Sequence, residues 1–105
     1  MLLVREIVYC KPGKVRPMVE KFVAMSALME KAGQGKMRVM TDMVAERFWT
    51  VVSEFEVESL EAFEKMMSGQ GASMDADTLK QMNELMKGYH DLVDFGRREI
   101  YKLEN

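Results

Sequence analysis

The chain contains one cysteine, Cys10, and one histidine, His90, the two side chains best suited to nucleophilic and acid-base chemistry. Such a pair can act together only within hydrogen-bond reach and with a third group orienting the base. A cysteine is also commonly a small buried hydrophobic residue, and we favour that packing role for Cys10. A metal ion would have to take its remaining ligands from carboxylates, so we expect no metal site.

The segment "KPGK", Lys11 to Lys14, directly follows Cys10. It lacks the glycine spacing and terminal Lys-Ser or Lys-Thr of a phosphate-binding loop. The two lysines could still attract an anion at the start of a helix. Pro12 and Gly13 instead predict a hinge, because they stop a strand and allow the chain to turn, and we favour the hinge.

Arginine and tyrosine side chains recur on the first and last predicted strands. The tripeptide "REI" occurs at Arg5 to Ile7 and again at Arg98 to Ile100, and Tyr9 and Tyr101 follow. If these strands are neighbours, the opposite charges pair across them, at about 0.2–1 kcal/mol for an exposed pair. Inside a barrel, the same arginine and tyrosine side chains could bind the carboxylate or phenol of a ligand.

Methionine is unusually frequent, with 12 among 105 residues. Its flexible thioether fills irregular gaps in a core and also lines adaptable pockets. Core filling is the default interpretation, but methionine-lined space beside aromatic side chains suits an apolar or aromatic ligand. The candidate ligand-binding residues are Arg5, Tyr9, Trp49, Phe55, Tyr89 and His90. The proton-transfer candidates, should the protein be an enzyme, are His90, Tyr9 and Tyr101.

The hydrophobic pattern predicts the elements that must position these residues. Aliphatic and β-branched residues predict a first strand, apolar spacings of three and four predict helices, and dense β-branched and aromatic residues predict a third strand. Ser59 is a predicted helix cap, and "GQGAS" interrupts the helix that it begins. The expected elements are a strand at 2–11, a helix from Val15 to near Gly33, strands at 36–44 and 48–57, a helix after Ser59, a longer helical stripe from Asp75 through Tyr89, Leu92 and Val93, and a final strand after Gly96.

This order, β-α-β-β-α-β, predicts a single α+β domain over residues 1–105. Right-handed crossovers turn it into a ferredoxin-like sandwich, a four-stranded antiparallel sheet with the helices on one face. The first and third strands are mostly apolar on both sides, so the other face of the sheet must also be covered. We expect a homodimer with a sheet-on-sheet interface, of the obligate kind that often buries about 2,000 Å² or more.

The chain resembles the dimeric α/β-barrel superfamily in its element order and in three segments. "KPGKVRPMVEKF", "VSEFEVESLEAFEKM" and the ending "RREIYKL" are most similar to NIPSNAP-type members, with the antibiotic-biosynthesis monooxygenases next. The resemblance implies a small-molecule pocket between sheet and helices or within the barrel. The haem-degrading branch has an Asn on its first strand; this first strand has none, so Trp49 and His90 are not assigned that role and no cofactor is expected.

Composition narrows the remaining functions. Lys and Arg total 15 and Asp and Glu total 17, a net charge of −2 with both signs scattered, which argues against a nucleic-acid or anionic-membrane surface. We expect a soluble cytoplasmic protein. Three functions stay open: binding of a small apolar or aromatic molecule, which we favour; a cofactor-independent monooxygenase or isomerase acting on an aromatic substrate; and a structural or regulatory dimer without a ligand.

Overall fold

The computed structural model describes residues 1–68 and 75–105 and shows a four-stranded antiparallel sheet packed against helices. The strand order is β2-β3-β1-β4, with the first and third strands at the centre. This arrangement confirms the ferredoxin-like α+β prediction. The predicted interruption "GQGAS", at residues 69–73, lies outside the described residues.

Each predicted strand and helix has a counterpart in the described chain, with different bounds in several cases. The first helix is terminated by Lys31, two residues before Gly33, which adopts a positive φ of 77°. The second crossover contains two helices, one on either side of residues 69–74. The elements are β1 Leu2–Cys10, α1 Val15–Lys31, β2 Arg38–Thr41, β3 Thr50–Val57, α2 Leu60–Met67, α3 Ala76–Leu85, a 3₁₀ helix Tyr89–Asp91, and β4 Val93–Lys102.

Two side-chain caps fix where the helices of the second crossover begin. The Ser59 hydroxyl accepts a hydrogen bond from the Ala62 N–H at 3.1 Å, as the sequence predicted. An Asp75 carboxylate oxygen accepts one from the Thr78 N–H at 2.7 Å. Each cap satisfies a backbone donor that the first helical turn leaves unpaired, and such caps are typically worth about 1 kcal/mol.

The Lys11–Lys14 segment is a turn, which confirms the hinge interpretation. The Lys14 N–H donates to the Lys11 carbonyl at 3.0 Å, and Gly13 adopts a φ of 78° that favours glycine. All four residues of the segment are exposed. The hinge therefore directs the chain from β1 into α1 across the edge of the core.

The predicted helical stripe beyond Leu85 is wrong. Gly88 takes a left-handed φ of 83° and ends the helical path, after which Tyr89 begins the 3₁₀ helix. Val93 already belongs to β4, and Gly96 lies inside that strand rather than before it. The apolar spacing of this region was misleading because α3, the 3₁₀ helix and β4 are separate elements that all turn apolar side chains toward the same core.

The hairpin of β2 and β3 is confirmed, but its strands are shorter and its connection longer than predicted. β2 and β3 pair over the four residues of β2, and residues 42–49 connect them. Phe48 precedes the strand and is 81% exposed, while Trp49 adopts a positive φ of 64° that breaks the extended backbone. The β-branched and aromatic pattern extended the prediction across this break.

The core lies between the helices and one face of the sheet, which we call the helix face. Alternate residues of β1 and β3 point there, and Val4 and Val51 are completely buried together with Met18 of α1. Phe63 of α2 and Met82 of α3 belong to the same cluster. The opposite side of the sheet, the open face, carries the other alternate residues: Leu3, Arg5, Ile7 and Tyr9 of β1 and the residues in register with them.

Candidate functional site

A cavity of about 360 Å³ lies between the helix face of the sheet and the three helices. β1 and β3 form its floor with Val8 and Phe55, and Phe22 of α1 lies among the side chains above them. Tyr89, at the start of the 3₁₀ helix, also contributes to the wall. A volume near the lower end of the 300–1,000 Å³ range typical of ligand sites can hold a small organic molecule.

Methionine side chains dominate the lining of this cavity. They come from every helix packed over the sheet and from the segment that enters β2, so no single element determines the cavity's shape. Thioethers have several accessible rotamers and adapt to different apolar outlines. Among the described residues the lining methionines are Met25, Met29, Met37, Met66, Met67, Met82 and Met86.

Among the described lining residues, three carry a charge or an aliphatic hydroxyl, and Tyr89 adds a phenol. Glu6 of β1 and Arg98 of β4 are register partners, and their ion pair joins Arg98 Nη2 to Glu6 Oε1 at 2.9 Å. Arg98 Nε donates to the same oxygen at 3.0 Å. Ser53 of β3 is the register partner of Glu6 on its other side and is 4% exposed. The cavity thus combines an apolar body with one polar end.

The Glu6–Arg98 pair stands at the rim of the cavity rather than deep within it. The Glu6 side chain is 28% exposed and the Arg98 side chain is 40% exposed. Arg98 also lies over the Phe63 ring, with its guanidinium carbon 5.0 Å from the ring centroid. Such a cation–π contact restrains the guanidinium where water and a ligand can both approach it.

A different polar network occupies the centre of the open face. Glu54, whose side chain is 8% exposed, accepts from Arg5 Nε at 2.7 Å and from Arg38 Nη2 at 2.8 Å. Burial of Glu54 favours its neutral form, but the hydrogen bonds from the two arginines outweigh burial and hold the pKa of its carboxyl below the usual value. The carboxylate is therefore charged and fully paired.

The network continues along β4. Glu99 lies 3.7 Å from Arg5 and accepts from Arg97 Nε at 3.0 Å, and this hydrogen bond lowers the pKa of Glu99. Tyr101 donates to Glu99 at 3.0 Å, which raises the pKa of the phenol. Arg97 also hydrogen-bonds the Tyr9 hydroxyl. The predicted cross-strand pairing of the two "REI" segments is confirmed on both faces, through Arg5–Glu99 and Glu6–Arg98.

The open face is consequently more charged than the sequence analysis expected. The first strand is mainly apolar there, but β3 carries Glu54 and Glu56, and the edge strand β4 adds Arg97 and Glu99 between its aromatic residues Phe95 and Tyr101. The Arg47 guanidinium covers the Phe95 and Tyr9 rings, at 4.4 and 4.9 Å from their centroids. Charges and aromatic rings therefore alternate over this surface.

The structure does not bring the predicted ligand-binding residues together. Phe55 and Tyr89 line the main cavity. Arg5 and Tyr9 belong to the open face on the other side of the sheet. Trp49 borders a separate cavity of about 280 Å³ beside Val15 and Asp42.

The proton-transfer candidates are also separated. His90 is exposed on the 3₁₀ helix, with its ring 4.1 Å from that of Tyr89, whereas Tyr9 and Tyr101 lie on the open face. Cys10 is buried in the core, where burial raises the pKa of its thiol, and none of the described hydrogen bonds joins it to His90. A thiol held neutral in the core is a poor nucleophile.

Sequence analysis missed the polar end of the cavity. Glu6 alternates with Val4 and Val8, and Ser53 alternates with Val51 and Phe55, so both polar residues fall on strand faces that are otherwise apolar. The available signal was a charged residue at an inward-facing position of a strand. Burying a charged group without a partner costs free energy, so such a residue indicates either a partner or a binding role.

Within residues 1–68 and 75–105, no three His, Cys, Asp or Glu side chains are grouped closely enough to hold a metal ion. None of the helices in these ranges combines the length and apolar character needed to cross a membrane.

Comparisons with known proteins identify the fold. An uncharacterised NIPSNAP-like domain protein from Burkholderia xenovorans superposes with a TM-score of 0.74 at 15% identity, covering 99% of this chain and 85% of that one. A protein from Agrobacterium tumefaciens gives 0.74 at 13% identity, with 97% and 92% covered. A third, from Pseudomonas aeruginosa, gives 0.67 at 13% identity, with 97% and 93% covered.

The sequence comparisons add no further relatives. No protein-family model matches the chain, and no curated protein matches it. The chain therefore has the ferredoxin-like fold of a NIPSNAP-like domain, as its sequence suggested, and the likeness at these identities concerns the fold alone.

Proposed function

We propose that this protein binds a small, largely apolar molecule in the methionine-lined cavity between sheet and helices. The observation that supports it best is the cavity itself, about 360 Å³ in a domain of 105 residues. Its lining is mostly apolar and opens to solvent at the rim formed by Glu6 and Arg98. An apolar molecule that filled it would remove that lining from water and gain dispersion contacts with it.

The composition of the lining supports an apolar ligand over a sugar or a nucleotide. Four side chains with polar atoms, Glu6, Ser53, Tyr89 and Arg98, stand among methionine, phenylalanine and valine in the described wall. A sugar or nucleotide would leave many of its own hydrogen-bonding groups unpaired against such a wall, at a cost of about 1–3 kcal/mol each. An alkyl or aromatic body has no such cost.

Binding is better supported than turnover by the placement of the candidate acids and bases. The alternative function, a cofactor-independent monooxygenase or isomerase, would need a proton-transfer group facing the substrate. His90, Tyr9 and Tyr101 all lie away from the cavity lining, and the one carboxylate of the described lining, Glu6, is already paired with Arg98. The remaining alternative, a structural or regulatory dimer without a ligand, gives no reason for the cavity.

We further propose that the protein works as a homodimer whose subunits meet through their open faces. Phe95 is 46% exposed and Tyr101 47% exposed on this face, and the ion pairs centred on Glu54 and Glu99 neutralise one another, so a second sheet can cover this network without isolating its charges. The partner would be a second copy of this chain.

Native mass spectrometry followed by calorimetric titration with hexylbenzene tests the binding proposal. Hexylbenzene is an apolar probe that fits a cavity of this volume. Met25→Trp places a large ring in the cavity and should abolish binding, whereas Val23→Trp, on an exposed position of the same helix, should not. The proposal is contradicted if the two variants bind hexylbenzene equally well. It is also contradicted if the unmodified protein binds neither hexylbenzene nor any related alkyl-aromatic probe.

A further inference from the structure

The hydrogen bonds of the Glu6–Arg98 pair use only one carboxylate oxygen of Glu6 and two of the three guanidinium nitrogens of Arg98. Both arginine nitrogens that bond to Glu6, Nε and Nη2, use the single oxygen Oε1. Within the described chain, no protein group hydrogen-bonds to the second carboxylate oxygen of Glu6 or to Nη1 of Arg98. The rim of the cavity therefore presents one strong acceptor and one strong donor side by side.

Ser53 adds a second observation at the same place. It is 4% exposed and lines the cavity, yet its hydroxyl has no hydrogen-bond partner among the residues that the structure describes. A serine hydroxyl can both donate and accept, and because the described residues include no fully buried side-chain polar atom that is unpaired, the Ser53 hydroxyl is accessible to a bound molecule. Ser53 and Glu6 are register partners on adjacent strands, so the free hydroxyl lies beside the free acceptor.

We propose, on the basis of the binding function proposed above, that the cavity selects apolar molecules carrying one neutral hydroxyl, such as an alkylphenol or a long-chain alcohol. A hydroxyl can donate to Glu6 while it accepts from Arg98 or Ser53. A group that does both matches the free donor and acceptor at the rim. The apolar remainder of the ligand then fills the methionine-lined space.

The charge of the site distinguishes this ligand class from acids and amines. Glu6 and Arg98 neutralise each other, so the polar end carries no net charge. A ligand carboxylate would add an uncompensated negative charge next to Glu6, and a ligand ammonium an uncompensated positive charge next to Arg98. Either excess charge costs free energy beside an apolar wall, whereas a neutral hydroxyl adds no charge.

Three probes of matched shape test the inference: 4-hexylphenol, hexylbenzene and 4-hexylbenzoate, titrated calorimetrically near neutral pH. We expect the phenol to bind roughly fivefold tighter than either other probe, a modest ratio because the Arg98 side chain is 40% exposed and water competes for it. Equal or tighter binding of hexylbenzene overturns the hydroxyl preference and leaves the cavity proposal standing. If the benzoate binds most tightly, the hydroxyl preference is also overturned. If none of the three probes binds, both the hydroxyl preference and the cavity proposal are overturned.

Two variants separate recognition from a structural role. Ser53→Ala should reduce the preference for the phenol over hexylbenzene about threefold, while the affinity for hexylbenzene stays the same. Ser68→Ala, which removes an exposed hydroxyl, is the control for this variant. Glu6→Gln removes the charge that neutralises Arg98, so the preference should move from the phenol toward the benzoate by roughly fivefold. An unchanged ratio of phenol to benzoate affinity in Glu6→Gln contradicts the inference, because loss of stability alone would weaken all three probes equally.

Discussion

Arg5 and Glu54 lie directly opposite one another on the two central strands, and Arg5 Nε donates to Glu54 Oε2 at 2.7 Å. Arg38, from the edge strand β2, binds the other carboxylate oxygen at 2.8 Å. One carboxylate thus connects three of the four strands on the open face. This connection explains how a charged residue can be nearly buried on a sheet surface that no helix covers.

Glu54→Gln should lower the free energy of unfolding by about 2 kcal/mol near neutral pH, since hydrogen bonds to charged groups contribute about 1.5–3 kcal/mol. The amide keeps the shape of the side chain but leaves two guanidinium groups without an anionic partner. Urea denaturation measures the change. Glu56→Gln, at an exposed position two residues along the same strand face, is the control and should change stability by less than about 0.5 kcal/mol.

The contribution of Glu54 should also depend on pH in a defined direction. Its folded-state pKa is lower than the ordinary value of 4.5, so its contribution is fully present above that value and declines as the pH falls through the folded-state pKa. The stability difference between the unmodified protein and Glu54→Gln should therefore shrink as the pH falls below 4.5 and through the lower folded-state pKa. Denaturation curves recorded from neutral to acidic pH test this, and a constant difference would show that the arginine partners do not lower the pKa of this carboxyl.

Met18→Ala should destabilise the protein by about 2–4 kcal/mol, because Met18 is completely buried and its truncation leaves a cavity. Met43→Ala removes the same side chain from a position that is 96% exposed and should have almost no effect. Thermal unfolding of the two variants compares them directly. Similar losses in both would mean that Met43 is covered in solution, as an interface would require.

Gly96→Ala should cost at least about 1 kcal/mol of stability. A Cβ at this position would lie 2.8 Å from the Ile7 carbonyl oxygen, a backbone atom in a central strand that cannot move aside without disturbing the sheet. Asp94→Ala, at an exposed position of the same strand, is the matched control. Chemical denaturation measures both, and a neutral Gly96→Ala would show that β1 and β4 can separate more readily than their pairing indicates.

Phe95→Lys should shift the protein from dimer to monomer in sedimentation velocity experiments at micromolar concentration. The substitution adds a charge within the proposed interface, on the edge strand β4, where it would be buried without a partner. Leu60→Lys introduces the same charge on α2, on the helix side of the sheet, at a position that is 59% exposed, and should leave the dimer intact. A monomeric unmodified protein would contradict the dimer itself.

Much of the architecture could be predicted because it depends on local chemistry. The β-branched run of the first strand, the three-and-four spacing after Val15 and the cap at Ser59 each act over a few residues, and each has its expected counterpart. The errors fall where backbone geometry outweighs side-chain pattern. Gly88 ends a helical path that the apolar spacing continued, and Trp49 turns the chain with a positive φ inside an apparently uniform strand.

The sequence by itself determined the fold class, the hinge at Lys11–Lys14 and the pairing of the two "REI" segments, because strand order and alternation already decide which residues are neighbours. Only the tertiary structure decided which side of the sheet each candidate occupies. It separated Tyr9 and Arg5 from Phe55 and Tyr89, and it placed Glu6, Arg98 and Ser53 together at one cavity. The physical reason is that a cavity forms from the packing of several elements, and the shape left between them is not encoded in the pattern of any one segment.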